Sequence, residues 1–339
     1  MRVVTFGEIM LRLNPIGYKR FIQAETYEAS YSGGEANVAV SLSNFGIDSL
    51  FVSKVPSHEI GQSAINSLQR YGVDPSFIKR GGERLGIYFL EKGASQRPSK
   101  VIYDRAHSSL SLVEEDEFDW EKIFEGVDWF HFTGITPALG GNLPTITLQA
   151  CKKAKERGIT ISCDLNYRKK LWTKEEAGKV MSTLLPYVDV VIANEEDASD
   201  VFNIQASNTD ITSGELNKLG YEEVAKEIIR RFGPKKVAIT LRKSISASTN
   251  EWAGMMYDGK NSYFSPQYMM NIVDRVGGGD SFASGIIYAL LNNYDPQNVV
   301  NFAVSASCLK HSIEGDFNQV SVDEVNVLMK GDASGRVQR

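Results

Sequence analysis

The sequence predicts an α/β protein: a mainly parallel sheet flanked by helices, with a small β-sheet inserted into it. Three observations predict this. Short β-rich runs alternate with helical patterns along most of the chain, two segments of extended β pieces interrupt the alternation, and three consecutive glycines open a strongly apolar helix near the C-terminus. With 339 residues, 42% of them hydrophobic and 23% charged, the chain can bury one large α/β core or two modest ones.

Taken in order, residues 1–8 read as a first strand, since a signal peptide needs a longer apolar stretch. Residues 10–31 and 86–105 carry extended pieces separated by turn residues, which predicts a small separate sheet. Residues 129–133 read as a strand, 144–157 as a helix closed by Gly158, and 160–165 as the next strand. Thr173 and Glu176 have capping-box spacing and open a helix toward Leu185. Strands follow at 188–193 and 236–241, and the apolar run 280–292 reads as a buried helix. Residues 205–217 are polar and predict a surface loop. The division is then a core of residues 1–9, 32–85 and 106–331, a discontinuous β-sheet lid of 10–31 and 86–105, and a frayed tail at 332–339.

Charge and cysteine usage narrow the function classes. A net charge of −5 argues against a nucleic-acid partner, because phosphate backbones call for a basic surface. Cys151, Cys163 and Cys308 are far apart, contain no CxxC pair, and fit reduced thiols in a cytoplasmic protein. No apolar run approaches membrane-spanning length, so no membrane association is expected.

The most informative stretch is Gly277-Gly278-Gly279-Asp280, which leads directly into the apolar helix. Glycines let a backbone approach an anion closely, and a helix N-terminus favours negative charge. Asp280 alone would serve as a helix cap, but capping does not call for three glycines. Two competing phosphate motifs fail. A dinucleotide loop needs a third glycine where Phe282 stands, and the near match to a P-loop ending at Lys260 has Asn261 where Ser or Thr must reach a magnesium ion. That second stretch reads instead as a β-hairpin turning at Asp258-Gly259.

With these residues in view, the chain resembles the PfkB/ribokinase family of carbohydrate kinases. Gly277-Gly278-Gly279-Asp280 is similar to that family's C-terminal signature, Ser32-Gly33-Gly34-Glu35-Ala36-Asn37 to its N-terminal glycine-pair motif, and Asn194-Glu195-Glu196-Asp197 to its magnesium and phosphate motif. Further segments around Gly134-Ile135 and Asp164-Leu165-Asn166-Tyr167-Arg168, with Tyr88, Tyr103 and Arg105, resemble the subgroup acting on 2-keto-3-deoxygluconate. The resemblance implies a ribokinase-like fold with a lid that supports a homodimer, and ATP and Mg²⁺ as cofactors; a monovalent-cation requirement is left open.

It implies the following roles. Asp280 is the general base that activates a substrate hydroxyl, and Gly277, Gly278 and Gly279 stabilise the transferred phosphoryl. Gly33, Gly34, Asn37, Tyr88, Tyr103, Arg105, Ile135 and Arg168 bind the sugar acid, with Arg105 and Arg168 suited to its carboxylate. Asn194, Arg242, Lys243, Ser244, Gly277 and Gly279 contact the nucleotide, and Asn194 and Asp197 hold magnesium through water. Asp197 stands where the family usually has Glu, and residues 240–248 lack the usual glycine-containing loop. His131, on an apolar strand, reads as packed core. Two rival readings are a kinase for a neutral ketose such as fructose and a catalytically silent sugar-binding regulator on the same fold.

Overall fold

The computed structural model describes residues 1–194, 196–204 and 218–331. Glu195, the polar stretch at 205–217 and the tail at 332–339 lie outside the described residues.

Strand β1 (Arg2–Phe6) starts the main sheet, and the chain then leaves it for β2 (Met10–Pro15) and β3 (Tyr27–Ser32) of a second, smaller sheet. Helix α1 (Gly34–Asn44) returns it to β4 (Asp48–Val55), followed by α2 (Glu59–Gln69) and β5 (Ile78–Arg80). A second excursion gives β6 (Ile87–Glu91) and β7 (Lys100–Asp104). Regular alternation then runs through α3 (Trp120–Ile123), β8 (Trp129–Thr133), α4 (Ile135–Ala138), α5 (Leu143–Glu156), β9 (Thr160–Asp164), α6 (Lys174–Leu184) and β10 (Val190–Ala193). After α7 (Asp197–Phe202) and α8 (Lys218–Phe232) come β11 (Lys236–Ser244), β12 (Thr249–Tyr257), β13 (Ser262–Phe264) and β14 (Tyr268–Asn271). Helices α9 (Gly278–Leu291), α10 (Pro296–Lys310) and α11 (Val322–Met329) complete the described chain.

The large sheet runs β5-β4-β1-β8-β9-β10-β11 in parallel, and β12 with its partners β13 and β14 extends it antiparallel. Strands β8 and β10 are buried at every residue, as expected where helices cover both faces of a parallel sheet. Local chemistry sets the helix ends. Pro144 starts α5, and Gly158 follows its end at φ +70°. Thr173 and Glu176 close the reciprocal cap of α6. Gly285 of α9 lets that helix lie against α10, since a Cβ there would sit 2.6 Å from Ala303 Cα. The hairpin at Asp258-Gly259 forms between β12 and β13, with Gly259 at φ +90°.

The small sheet, in the order β3-β2-β6-β7, is antiparallel except for the central β2–β6 pair. The strand expected at 236–241 runs further in the structure. Strand β11 continues to Ser244, because β12 pairs with it through Asn250, and only 245–248 turn. Strand order reverses beside β1, whose chain goes first to β4 and later to β8. In open α/β sheets the crevice beyond the carboxyl ends of the strands at such a point is where ligands bind.

Candidate active site

A cavity of about 430 Å³ opens there, lined by the ends of β9 and β10, part of β11, the starts of α1, α4 and α9, and one face of the small sheet. It gathers Gly33, Gly34, Asn37, Tyr88, Tyr103, Arg105, Ile135, Arg168, Asn194, Asp197, Arg242, the three glycines and Asp280. Lys243 and Ser244 are not in its lining. Alternation along β11 explains Lys243: Thr240 and Arg242 face the cavity, while the Lys243 ammonium lies 3.7 Å from Glu251.

The three glycines have three different reasons. Gly277 sits at φ +83°, and a Cβ there would be 2.0 Å from the Asp316 carbonyl oxygen. A Cβ on Gly278 would strike the His311 ring at 2.3 Å. At Gly279 nothing lies within 4 Å of the Cβ position, so that residue leaves open space over the helix end. The amides of Gly279 and Asp280 donate to no backbone carbonyl among the described residues, as at any uncapped helix start. The result is an anion cradle with its donors free and its approach clear.

Asp280 forms the wall of that cradle. Its Oδ2 accepts a 2.7 Å hydrogen bond from Asn37 Nδ2, so α1 fixes its direction. Its carboxyl is pushed up to about 7, mainly by burial and further by Asp316 and Glu35, against the Asn37 hydrogen bond and Arg168. Asp164, buried at the end of β9, is likewise raised by burial and then by Asp197 and Asp280. Glu35 is a different kind of carboxylate. Its Oε1 accepts from the Thr133 amide and from the hydroxyls of Thr133 and Thr136 at 2.7–3.0 Å, tying α1 to β8. Gly7 makes room for it, because a Cβ there would lie 2.1 Å from Glu35 Oε2.

The two candidate arginines separate, Arg105 following β7 of the small sheet and Arg168 following β9 of the large one. Arg105 is buried and paired: its Nε donates to Glu8 Oε2 at 3.0 Å, Nη2 donates to the same oxygen, and Ser108 takes the other. Arg168 lines the cavity and has no ion pair within 4 Å among the described residues. Arg105, which also lines the cavity, is thus matched by Glu8, whereas Arg168 meets no carboxylate among the described residues. Tyr88 is buried, and its hydroxyl donates to Asp316 Oδ2 at 2.6 Å, whereas Tyr103 is 38% exposed beside it. Beneath them Arg12 of β2 is 1% exposed, with Nη2 donating to Asp274 Oδ2 at 2.5 Å and Nη1 to Asp316 Oδ1. Burial opposes its charge, but Asp316 and Asp274 more than offset this and its pKa is raised.

The end of β10 is closed on itself. Asn194 Oδ1 accepts from the amides of Glu196 and Asp197 at 2.8 and 3.0 Å. Asp197 Oδ2 accepts from the Asn194 amide at 3.0 Å and Oδ1 from the Tyr167 amide at 3.1 Å. No cluster of three or more His, Cys, Asp or Glu suited to a metal occurs among the described residues.

His131 is core: fully buried, hydrogen-bonded to Ser162, and pushed down to about 3 by burial alone. Sequence reasoning missed Arg275, Asp316 and the aligning role of Asn37. Arg275 lines the cavity two residues before the glycines, and its pKa is lowered by burial and by the neighbouring charge of Arg242. Position beside the glycine run was the available signal for Arg275. Asp316 is near the run only in space.

Residues 1–319 match the family described as pfkB family carbohydrate kinase. The chain is similar to the crystal structure of 2-dehydro-3-deoxygluconokinase from Thermotoga maritima, with 52% identity, 98% of each chain covered and a TM-score of 0.94. It is 31% identical to a 2-dehydro-3-deoxygalactonokinase of Haloferax volcanii, covering 98% of both. A structure of a putative Ribokinase II from E. coli in complex with ATP and Mg²⁺ shares the fold, with a TM-score of 0.80 at 18% identity and coverage of 97% and 99%.

Proposed function

The chain belongs to the pfkB family of carbohydrate kinases, and on that premise we propose that it transfers the γ-phosphoryl of ATP to a hydroxyl of 2-dehydro-3-deoxygluconate, the acid also called 2-keto-3-deoxygluconate. The observation that carries the reading is Asp280: a carboxylate with a pKa of about 7, aligned by Asn37, at the mouth of an unfilled amide cradle. A base of that pKa is half-ionised near neutral pH and accepts a proton from a hydroxyl within hydrogen-bond reach.

The site fits a magnesium nucleotide, which when bound supplies the phosphoryl group and neutralises its charge. The open space above Gly279 takes the phosphoryl, the amides of Gly279 and Asp280 donate to it, and Arg242 and Arg275 face the same anion from β11 and the approach to α9. Asp197 already accepts one backbone amide at each oxygen, and it would hold a magnesium ion through water. Arg168, with no ion pair among the described residues, takes the substrate carboxylate in a planar fork. Asn37, Gly34 and Ile135 line the space between Arg168 and Asp280.

The small sheet acts as the lid. Its edge strands β3 and β7 expose Tyr27 (39%), Ile102 (43%) and Tyr103 (38%), with Ile22 (89%) before β3. Covering them against a second copy would remove both apolar surface and open edges, which supports a homodimer through the lid. Light scattering should then give twice the chain mass. No helix among the described residues is long and apolar enough to cross a membrane; a cytoplasmic location fits ATP supply and the free thiols.

A coupled assay with 2-dehydro-3-deoxygluconate, its galactonate epimer, fructose and ribose tests the substrate. Highest kcat/KM is expected on the gluconate acid. Preference for fructose would give the site to a neutral ketose, and silence on all four would make it a binding protein.

A further inference from the structure

Lys310 is the last residue of α10, and instead of reaching solvent its side chain runs inward until none of it is exposed. Its Nζ donates to two main-chain carbonyls, Asp274 at 3.2 Å and Ile313 at 3.4 Å. A lysine is almost never fully buried unless paired, because the desolvation of an ammonium is costly. The carboxylates around it are Asp274 and Asp316, both bonded by Arg12, with Asp280 also in its field; they offset part of the burial that lowers the Lys310 pKa. Lys310 does not line the cavity, and nothing in the chemistry above uses it.

Its acceptors point to a role. Asp274 is the start of the approach to the glycine run, and its carboxylate also accepts from the amides of Val276 at 3.2 Å and Gly315 at 3.3 Å. Ile313 lies in the turn that ends at Asp316, whose carbonyl is packed against Gly277. The ammonium therefore clamps the two backbone segments that form the floor of the anion cradle. What it does there is what a compact, oxygen-seeking monovalent cation would do: gather carbonyls and balance carboxylates.

We propose that Lys310 is a positioning residue that serves as a built-in monovalent cation, holding the glycine run in its anion-binding shape, so that phosphoryl transfer needs no added K⁺ or NH₄⁺. The inference rests on the glycine run being the phosphoryl site.

The test uses the full chain, with 2-dehydro-3-deoxygluconate and MgATP in a buffer whose only cation besides Mg²⁺ is tetramethylammonium, then with K⁺ or NH₄⁺ added. Wild-type kcat should change by less than about two-fold, since the charge is already in place. Lys310→Met keeps the chain length without the charge. It should lose at least about ten-fold in kcat through misplacement of the cradle, with little change in KM for the sugar. Added NH₄⁺ should restore much of that loss, while the melting temperature of the variant moves less than its kcat. Stimulation of the wild type by K⁺ overturns the inference, and this arm decides even if Lys310→Met does not fold. A variant with wild-type kcat, or a loss that no small cation restores, makes Lys310 a packing residue and overturns it too. Asp280→Asn assayed alongside keeps the two readings apart: its retained activity would sink the glycine-run assignment itself, whereas cation stimulation of the wild type sinks only the role of Lys310.

Discussion

Two rims of the same cavity were both assigned to phosphate or magnesium from sequence, and they are built on opposite principles. At residues 277–280 the amides of Gly279 and Asp280 donate to no backbone carbonyl among the described residues, and the Gly279 Cβ position meets nothing within 4 Å. At Asn194 and Asp197 the acceptors are met by backbone, with the Asn194 side chain taking the amides of Glu196 and Asp197 and the Asp197 carboxylate those of Asn194 and Tyr167. The first arrangement has unmet hydrogen-bonding capacity and a base held near pH 7; the second is a self-capped turn. What the difference teaches is that a motif names a place, and the count of locally consumed donors and acceptors tells whether that place is open to direct contact or only to contact through water.

The largest effect should come from the open rim. Asp280→Asn removes the base while Asn37 still has an oxygen to meet, so kcat should fall by roughly 10²–10⁴-fold with KM little changed. A variant keeping more than about a tenth of kcat would erase the contrast. The same residue predicts a stability change of definite sign. Its folded pKa of about 7 lies above the usual 3.8, so its ionisation opposes folding, and that part of stability is lost as pH rises through about 7. Asp280→Asn should therefore melt higher than wild type near pH ~8, with the difference gone near pH ~4.

Arg168 comes next, because burial raises the pKa of both Asp197 and Asp280 and the Arg168 charge opposes that rise at each. Arg168→Ala should cut kcat/KM for 2-dehydro-3-deoxygluconate by about 2–5 kcal/mol, or roughly 30-fold and upward, and leave fructose turnover nearly unchanged. An unchanged ratio of the two substrates would make this arginine structural. Arg105→Ala should differ in kind, since it leaves the buried Glu8 without its partner and should show first as lost stability.

Gly279→Val sharpens the comparison further. Its Cβ meets nothing, so the fold should survive while a branched side chain occupies phosphoryl space, lowering kcat by roughly ten-fold or more. Wild-type turnover would mean the open space is not used. The smallest effect belongs to the closed rim. Asn194→Ala should cost about 1 kcal/mol of stability, the scale of a lost cap, and change kcat by less than about three-fold. A catalytic loss larger than that would show the turn to be more than structural.

Much of this architecture could be read from residue order because it is local. The alternation around β8, α5 and β9, the Thr173–Glu176 cap and the Asp258-Gly259 turn each depend on neighbours a few positions away. Strand β11 was cut short for the opposite reason. Its last residues are exposed and polar, and only pairing with β12 makes them a strand. The site followed the same division. Glycines ahead of a helix announce an anion cradle, but whether Arg105 is available depends on Glu8, 97 residues away. The Arg12 cluster spans 262 and 304 residues, and no periodicity links such partners.

That cluster has a consequence for how the small sheet comes apart. Its two inner strands are rooted in the main body, β2 through Arg12 and β6 through the Tyr88 hydroxyl, while β3 and β7 lie outside with mostly exposed residues. Drawing β2 out would strand two buried carboxylates, so it should not open by itself. Hydrogen exchange should divide the sheet lengthwise: amides of β2 and β6 exchanging only when the whole molecule unfolds, and those of β3 and β7 by local fraying. A sheet that interrupts the strand–helix alternation thus belongs, by its inner half, to the same cooperative unit as the strands it separates.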